Sequence, residues 1–259
     1  MASFSIKDSN FDGDLMTAKP VKSQPTGMKM VVFRYNNNNL RLQTPQMPQA
    51  FDMNENKSES TGRISYSTNL SFRYDQEDDK VSAFREILES IDAYNVDFAT
   101  KNSLELFGKK YKKEMIEEFH KPIVKWPKND QYRPTIKIKL PFRDGIPDFQ
   151  VYDRKKKQFD IYDSETTESD LSMFSPHTKS VYLIEYTGIW VIGKQFGAGW
   201  KLIQAKLYNE EQIQGCGIIT DSDDEDGTAV AEDDEDDDEA TDAVVDDTDT
   251  VPAEGDEDF

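Results

Sequence analysis

Residues 135–140 read TIKIKL. In an extended chain Ile136, Ile138 and Leu140 point one way and Lys137 and Lys139 the other, because successive side chains of a strand alternate between its faces. This is the pattern of a half-buried strand with a cationic outer side. The same period recurs upstream over 63–74, where Ile64, Tyr66, Leu70 and Phe72 alternate with Ser65, Ser67, Asn69, Ser71 and Arg73. Short β segments are also expected at 28–35 and 40–43, joined by the turn Asn36 to Asn39 as a hairpin, and at 123–126. Further downstream, 149–152 and 159–162 flank a basic turn at 154–157. The segments 181–186, 189–193 and 200–208 close the β pattern.

Between these two β regions the period changes. Val81, Phe84, Leu88 and Ile91 recur every three or four residues, with Ile87 beside them. That spacing predicts an amphipathic helix. A second helix is expected after Asn102 and Ser103, carrying Leu104, Phe107, Tyr111 and Phe119 and ending before Pro122. Residues 44–62 and 164–178 read as loops. The order β, helix, β at this strand spacing predicts a mainly β fold with a helical insertion at about 80–120, an OB-fold-like barrel with long loops. It spans 28–220, behind a flexible N-terminal arm at 1–27.

The charge divides sharply along the chain. Of 51 Asp+Glu, 21 lie in residues 221–259, which hold no Lys or Arg; the other 220 residues keep 30 acids against 31 bases. The formal net charge of −20 therefore belongs to the last segment, and the body is close to neutral. With only a few Ala and Val and Phe259 to bury, residues 221–259 are expected to be a disordered acidic tail, since ordering costs roughly 1–2 kcal/mol per residue.

Composition also limits the chemistry. One cysteine, Cys216, and two histidines, His120 and His177, allow neither an internal disulfide nor a four-ligand Cys/His zinc site. The first residues, MASFSIKDSNFDGDL, lack the apolar core of a secretory signal, and no apolar run is long enough to span a membrane. The expectation is a soluble, intracellular, non-secreted protein. No GxSxG, HExxH or GKS/GKT motif occurs. GKQFGAGWK at 193–201 is glycine-rich but lacks the phosphate-loop order, and reads as a loop between strands. DSDDEDG at 221–227 misplaces the ligands of a calcium loop. No enzyme, no cofactor and no metal is expected.

What remains is basic residues interleaved with rings: Lys125, Trp126 and Lys128, then Tyr132 and Arg133, then Lys137 and Lys139, and finally Trp190, Lys194, Phe196, Trp200 and Lys201. Cations that follow phosphates and flat rings that stack on bases together hold single strands irrespective of sequence. The competing reading is plain: rings in a body of this size are mostly core, and lysines on a strand or helix are mostly a solvated face. The cluster Lys109, Lys110, Lys112 and Lys113 either extends the path or is such a face.

The layout resembles the single-stranded DNA-binding proteins of short-tailed phages, in a β body with a helix between strands and an acidic end closing in Phe259. The segment GIWVIGKQFGAGWKLIQAKLY at 188–208, with Phe196-Gly197 and Trp200-Lys201, is more similar to the related single-stranded DNA-binding family of nucleocytoplasmic large DNA viruses. The resemblance implies sequence-independent binding of single-stranded DNA in viral replication and recombination, in the host nucleus or at a cytoplasmic replication site. It further implies a homodimer, and a tail whose Asp256, Glu257, Asp258 and Phe259 dock DNA polymerase or other replication proteins. As a polyanion the tail would compete with DNA for the body. Two alternatives from other classes stand beside this: a β-rich adaptor or chaperone whose tail binds basic proteins such as histones, and a carboxylate-dependent nuclease.

Overall fold

The computed structural model describes residues 11–57, 62, 64–129, 131–166 and 168–208. The expected tail, including Asp256 to Phe259, and Cys216 lie outside the described residues.

The fold is mainly β with a helical insertion, of OB-like type, as the alternation predicts. Its centre is one twelve-stranded sheet. In chain order the strands are β1 (Lys22–Ser23), β2 (Lys29–Val31), β3 (Arg41–Gln43), β4 (Met47–Pro48), β5 (Asn54–Lys57), β6 (Ile64–Ser71), β7 (His120–Lys121) and β8 (Val124–Lys125). They continue with β9 (Thr135–Leu140), β10 (Gln150–Tyr152), β11 (Lys179–Ile192) and β12 (Gln195–Tyr208). The two fourteen-residue strands β11 and β12 form one long antiparallel hairpin, turning at Gly193 and Lys194. Short strands line its edges. β2, β3 and β4 pair with β11. β7, β9 and β10 pair in parallel with β12. β9 continues antiparallel to β6, and β6 to β5. The path from β1 to β5 is open, so the sheet does not close into a ring.

The hairpin corrects the reading of 188–208 in one respect. Gln195 to Gly199 is strand, not loop, and 181–186 and 189–192 belong to one strand interrupted by a bulge at Thr187. The expected pairing of 28–35 with 40–43 also fails. The turn exists, with Asn36 and Asn37 at positive φ, but Phe33 to Tyr35 pairs with Met16 to Ala18, while β3 pairs with β11. Residues 11–27, expected as part of an arm, thus supply two short strands and bury Met16. Residues 44–62, expected as a loop, supply β4 and β5 and bury Met47 and Gln49. Over 149–162, Val151 joins β12, and the basic turn is closed by Phe159 N–H donating to Val151 O at 2.9 Å.

The inner face of the sheet is covered by α1 (Asp79–Lys101). Asp78 caps it by accepting from Lys80 N–H at 2.9 Å. Its apolar stripe, Val81, Phe84, Leu88 and Ile91, is fully buried, as its spacing requires. Phe72 stacks on Phe84, and Phe33 meets Phe98 edge-on at 5.0 Å. Tyr186 O–H donates to Asn95 Oδ1 at 2.8 Å, tying β11 to α1. The second helix is two pieces, α2 (Ser103–Phe107) and α3 (Lys113–Phe119), because Gly108 turns left-handed at φ +75°. Leu104, expected in the same stripe, is 57% exposed. Phe107, Tyr111 and Phe119 still meet, in a ring cluster with centroids 5.2–6.2 Å apart.

Candidate nucleic-acid interface

Residues opposite one another in a ladder share a face, so the registers say which side chains stand together on the side away from α1. One rung crosses five strands. Arg41 on β3 faces Glu185 on β11, Glu185 faces Lys201 on β12, Lys201 faces Lys139 on β9, and Lys139 faces Ser67 on β6. At the ordinary strand spacing this rung is roughly 19 Å long. Beside it Lys137 faces Asn69, and beyond that Lys125 on β8 faces Thr135, which faces Ser71. The residues that face these lysines on β6, Ser67, Asn69 and Ser71, are uncharged.

Glu185 is the one carboxylate that these registers put on the face, and it is only 6% exposed. Burial works against its charge, but three donors outweigh that and hold its pKa below the usual glutamate value. Arg41 Nε donates to Oε2 at 2.7 Å, Asn39 Nδ2 to the same oxygen at 2.9 Å, and Lys201 Nζ lies 3.1 Å from Oε1. An ionised Glu185 therefore sits beneath two cations that it orients.

Toward the hairpin tip the face turns aromatic. Trp190 faces Gly197 across the ladder and Met30 on its other side; Lys22 and Lys121 complete that rung. A Cβ on Gly197 would lie 2.8 Å from the Trp190 ring and 3.0 Å from Lys121 O. The absence of a side chain at 197 is what lets the half-buried indole lie down on the sheet. Toward the other end, Lys206 and Lys179 share the outer face, the former 5.0 Å from the Tyr208 ring centroid.

Of the residues expected to bind nucleic acid, Lys125, Lys137, Lys139, Trp190 and Lys201 are thus brought onto one face. Trp126 and Tyr132, 63% and 62% exposed, stand with Lys128 and Arg133 on the connection between β8 and β9. Lys194 is exposed at the hairpin tip. Two expected residues are core instead. Phe196 is 0% and Trp200 2% exposed. Phe196 packs on Phe107 at 5.8 Å and on His120 at 5.0 Å; Trp200 packs on Tyr186 at 5.2 Å. Both point to the helix side, where no base can reach them while the core is closed. Lys113 lies 2.8 Å from Asp97 in an exposed pair on the helical insertion, not on the sheet face. Arg41, Lys22, Lys121, Lys179 and Lys206 were not singled out by sequence. Arg41 could have been, since Leu42 between Arg41 and Gln43 already marks which side faces inward.

Among the described residues no three His, Cys, Asp or Glu side chains converge as metal ligands. No helix of the described residues is long and apolar enough to cross a membrane.

No curated protein matches the sequence. Among solved structures, the single-stranded DNA-binding protein of bacteriophage Enc34 in complex with ssDNA aligns at 11% identity and a TM-score of 0.42, over 76% of this chain and 98% of that one. The gp2.5 single-stranded DNA-binding protein of bacteriophage T7 aligns at 13% identity and a TM-score of 0.42, over 73% of this chain and 98% of that one. The family whose profile matches covers residues 75–216, from the turn before α1 to beyond β12. The chain belongs to that family, described as a family of unknown function (DUF5871).

Proposed function

We propose that this chain is a non-enzymatic protein that binds single-stranded DNA without sequence preference, in viral DNA replication and recombination. The observation that carries the reading is the outer sheet face. Lys125, Lys137, Lys139, Lys201 and Arg41 occupy neighbouring rungs, the single carboxylate among them is already neutralised, and a tryptophan lies flat on the same surface. Cations at strand spacing can follow the phosphates of an unpaired chain, and rings accept any base. Four of these five cations are long, flexible lysines and Arg41 is held by Glu185, which suits binding that ignores sequence.

The acidic segment supports a second element of the proposal. Its 21 carboxylates without a single base make it a polyanion in the same protein as a cationic face. We place it as an intramolecular competitor of DNA, with Asp256, Glu257, Asp258 and Phe259 docking replication proteins such as DNA polymerase. The setting is a viral replication site inside the host cell, nuclear or cytoplasmic.

The test is titration of labelled oligo-dT and of a duplex of equal length with the full chain and with a chain ending at Thr220. The expected result is a preference for the single strand, an affinity that falls steeply with salt, and tighter binding after truncation. Equal or stronger binding of the duplex would refute the single-strand reading. Unchanged affinity after truncation would remove the tail's competing role alone.

A further inference from the structure

The cationic face does not stop at the last ladder pair. Where β6 ends and β9 begins, Phe72 N–H donates to Pro134 O at 2.9 Å, and beyond that bond the surface carries a shallow recess open to solvent. Trp126, Pro134, Arg73, Arg133, Asp75 and Glu77 line it. Trp126 follows Lys125, so the recess adjoins the Lys125–Thr135–Ser71 rung directly.

Its chemistry is mixed in an informative way. The two guanidiniums would draw a phosphate to the recess. The two carboxylates would keep a phosphate from entering it, and the Asp75 carboxylate is fixed in place by Arg85 Nε, 3.0 Å from each oxygen. Asp75 and Glu77 are acceptors for N–H groups. A flat indole with most of its surface in water forms one wall, although burying such a ring is strongly favourable. The occupant that satisfies all of this is flat, uncharged, able to donate at least one N–H and attached to phosphate. We infer that the recess seats one nucleobase of the bound strand, stacked on Trp126, with the flanking phosphate between Arg73 and Arg133. This rests on the single-strand reading of the face and adds to it a fixed base position at one end of the path.

The experiment compares the full chain and its Trp126→Ala variant on oligo-dT and on an abasic oligonucleotide of the same length and charge. Trp126 is exposed, so its removal leaves the core intact. The expected result is a loss of roughly five- to a hundredfold on oligo-dT, the value of one stacked base, with the affinity for the abasic strand unchanged. An equal loss on both strands, or no loss on either, would overturn the base seat while leaving the face as a phosphate path. If the unsubstituted chain binds neither strand, the reading of the whole face falls with it.

Discussion

Glu185 shows how a single residue sets the character of the face. It lies beneath Arg41 and Lys201 and cancels part of the charge that a phosphate would otherwise meet. Glu185→Gln keeps the shape and removes the charge. We expect oligo-dT affinity to rise several-fold, since one charge about 4 Å from a phosphate is worth roughly 1 kcal/mol even at the dielectric of water; fluorescence anisotropy reads this. The same substitution changes acid stability. The folded pKa of Glu185 is depressed, so its ionised form adds stability that is complete above the ordinary glutamate pKa and is lost as pH falls through the lower folded value. Denaturant midpoints followed from neutral to acid pH should therefore fall less for Glu185→Gln than for the unsubstituted chain. Lys137 and Lys139 were legible because they alternate with three apolar residues in six. Phe196 escapes a reading of 193–201 as a loop, where parity has no meaning, and Trp200 opens an expected strand, 200–208, whose inner side that reading leaves unassigned. Treated as strand, 196, 200 and 202 share a side, and Leu202 fixes that side as the core. Trp190 and Lys201 then fall on the other side, as observed.

At the scale of elements, the long hairpin depends on two irregularities that hydropathy does not reveal. Register shifts between Leu183 and Ile184 and between Tyr186 and Gly188 change which residues oppose one another. The second brings β2 against β11 so closely that a Cβ on Gly188 would lie within 3.0 Å of Val31 C, at a φ of +107° that other residues rarely adopt. Gly188→Ala should lower the unfolding free energy by about 3 kcal/mol or more, measured by denaturant titration; a loss under ~0.5 kcal/mol would mean the approach is not needed. The main helix was legible from its buried stripe. The strands β3, β4 and β5 were not legible as members of this sheet. They are two to four residues long, and what makes them strands is a distant partner, not their own period. Gly108 likewise breaks a helix whose apolar residues still converge, because Phe107, Tyr111 and Phe119 meet around the turn.

For the whole molecule, the informative quantity is not net charge but its placement. The last 39 residues carry 21 carboxylates and no base against a whole-chain formal charge of −20, while the described body turns lysines from β8, β9 and β12 to one side and a single carboxylate with them. The central claim is that this face holds the phosphates of a single strand. It is tested most directly by the salt dependence of oligo-dT affinity for the full chain and for a variant with Lys125, Lys137 and Lys139 all changed to Ala. Each phosphate contact on a single strand contributes about 0.7 to the slope of log affinity against log salt. The account predicts that the slope shrinks by about 2 in the variant and that affinity falls at low salt. An unchanged slope would contradict it, since the strand would then be held elsewhere.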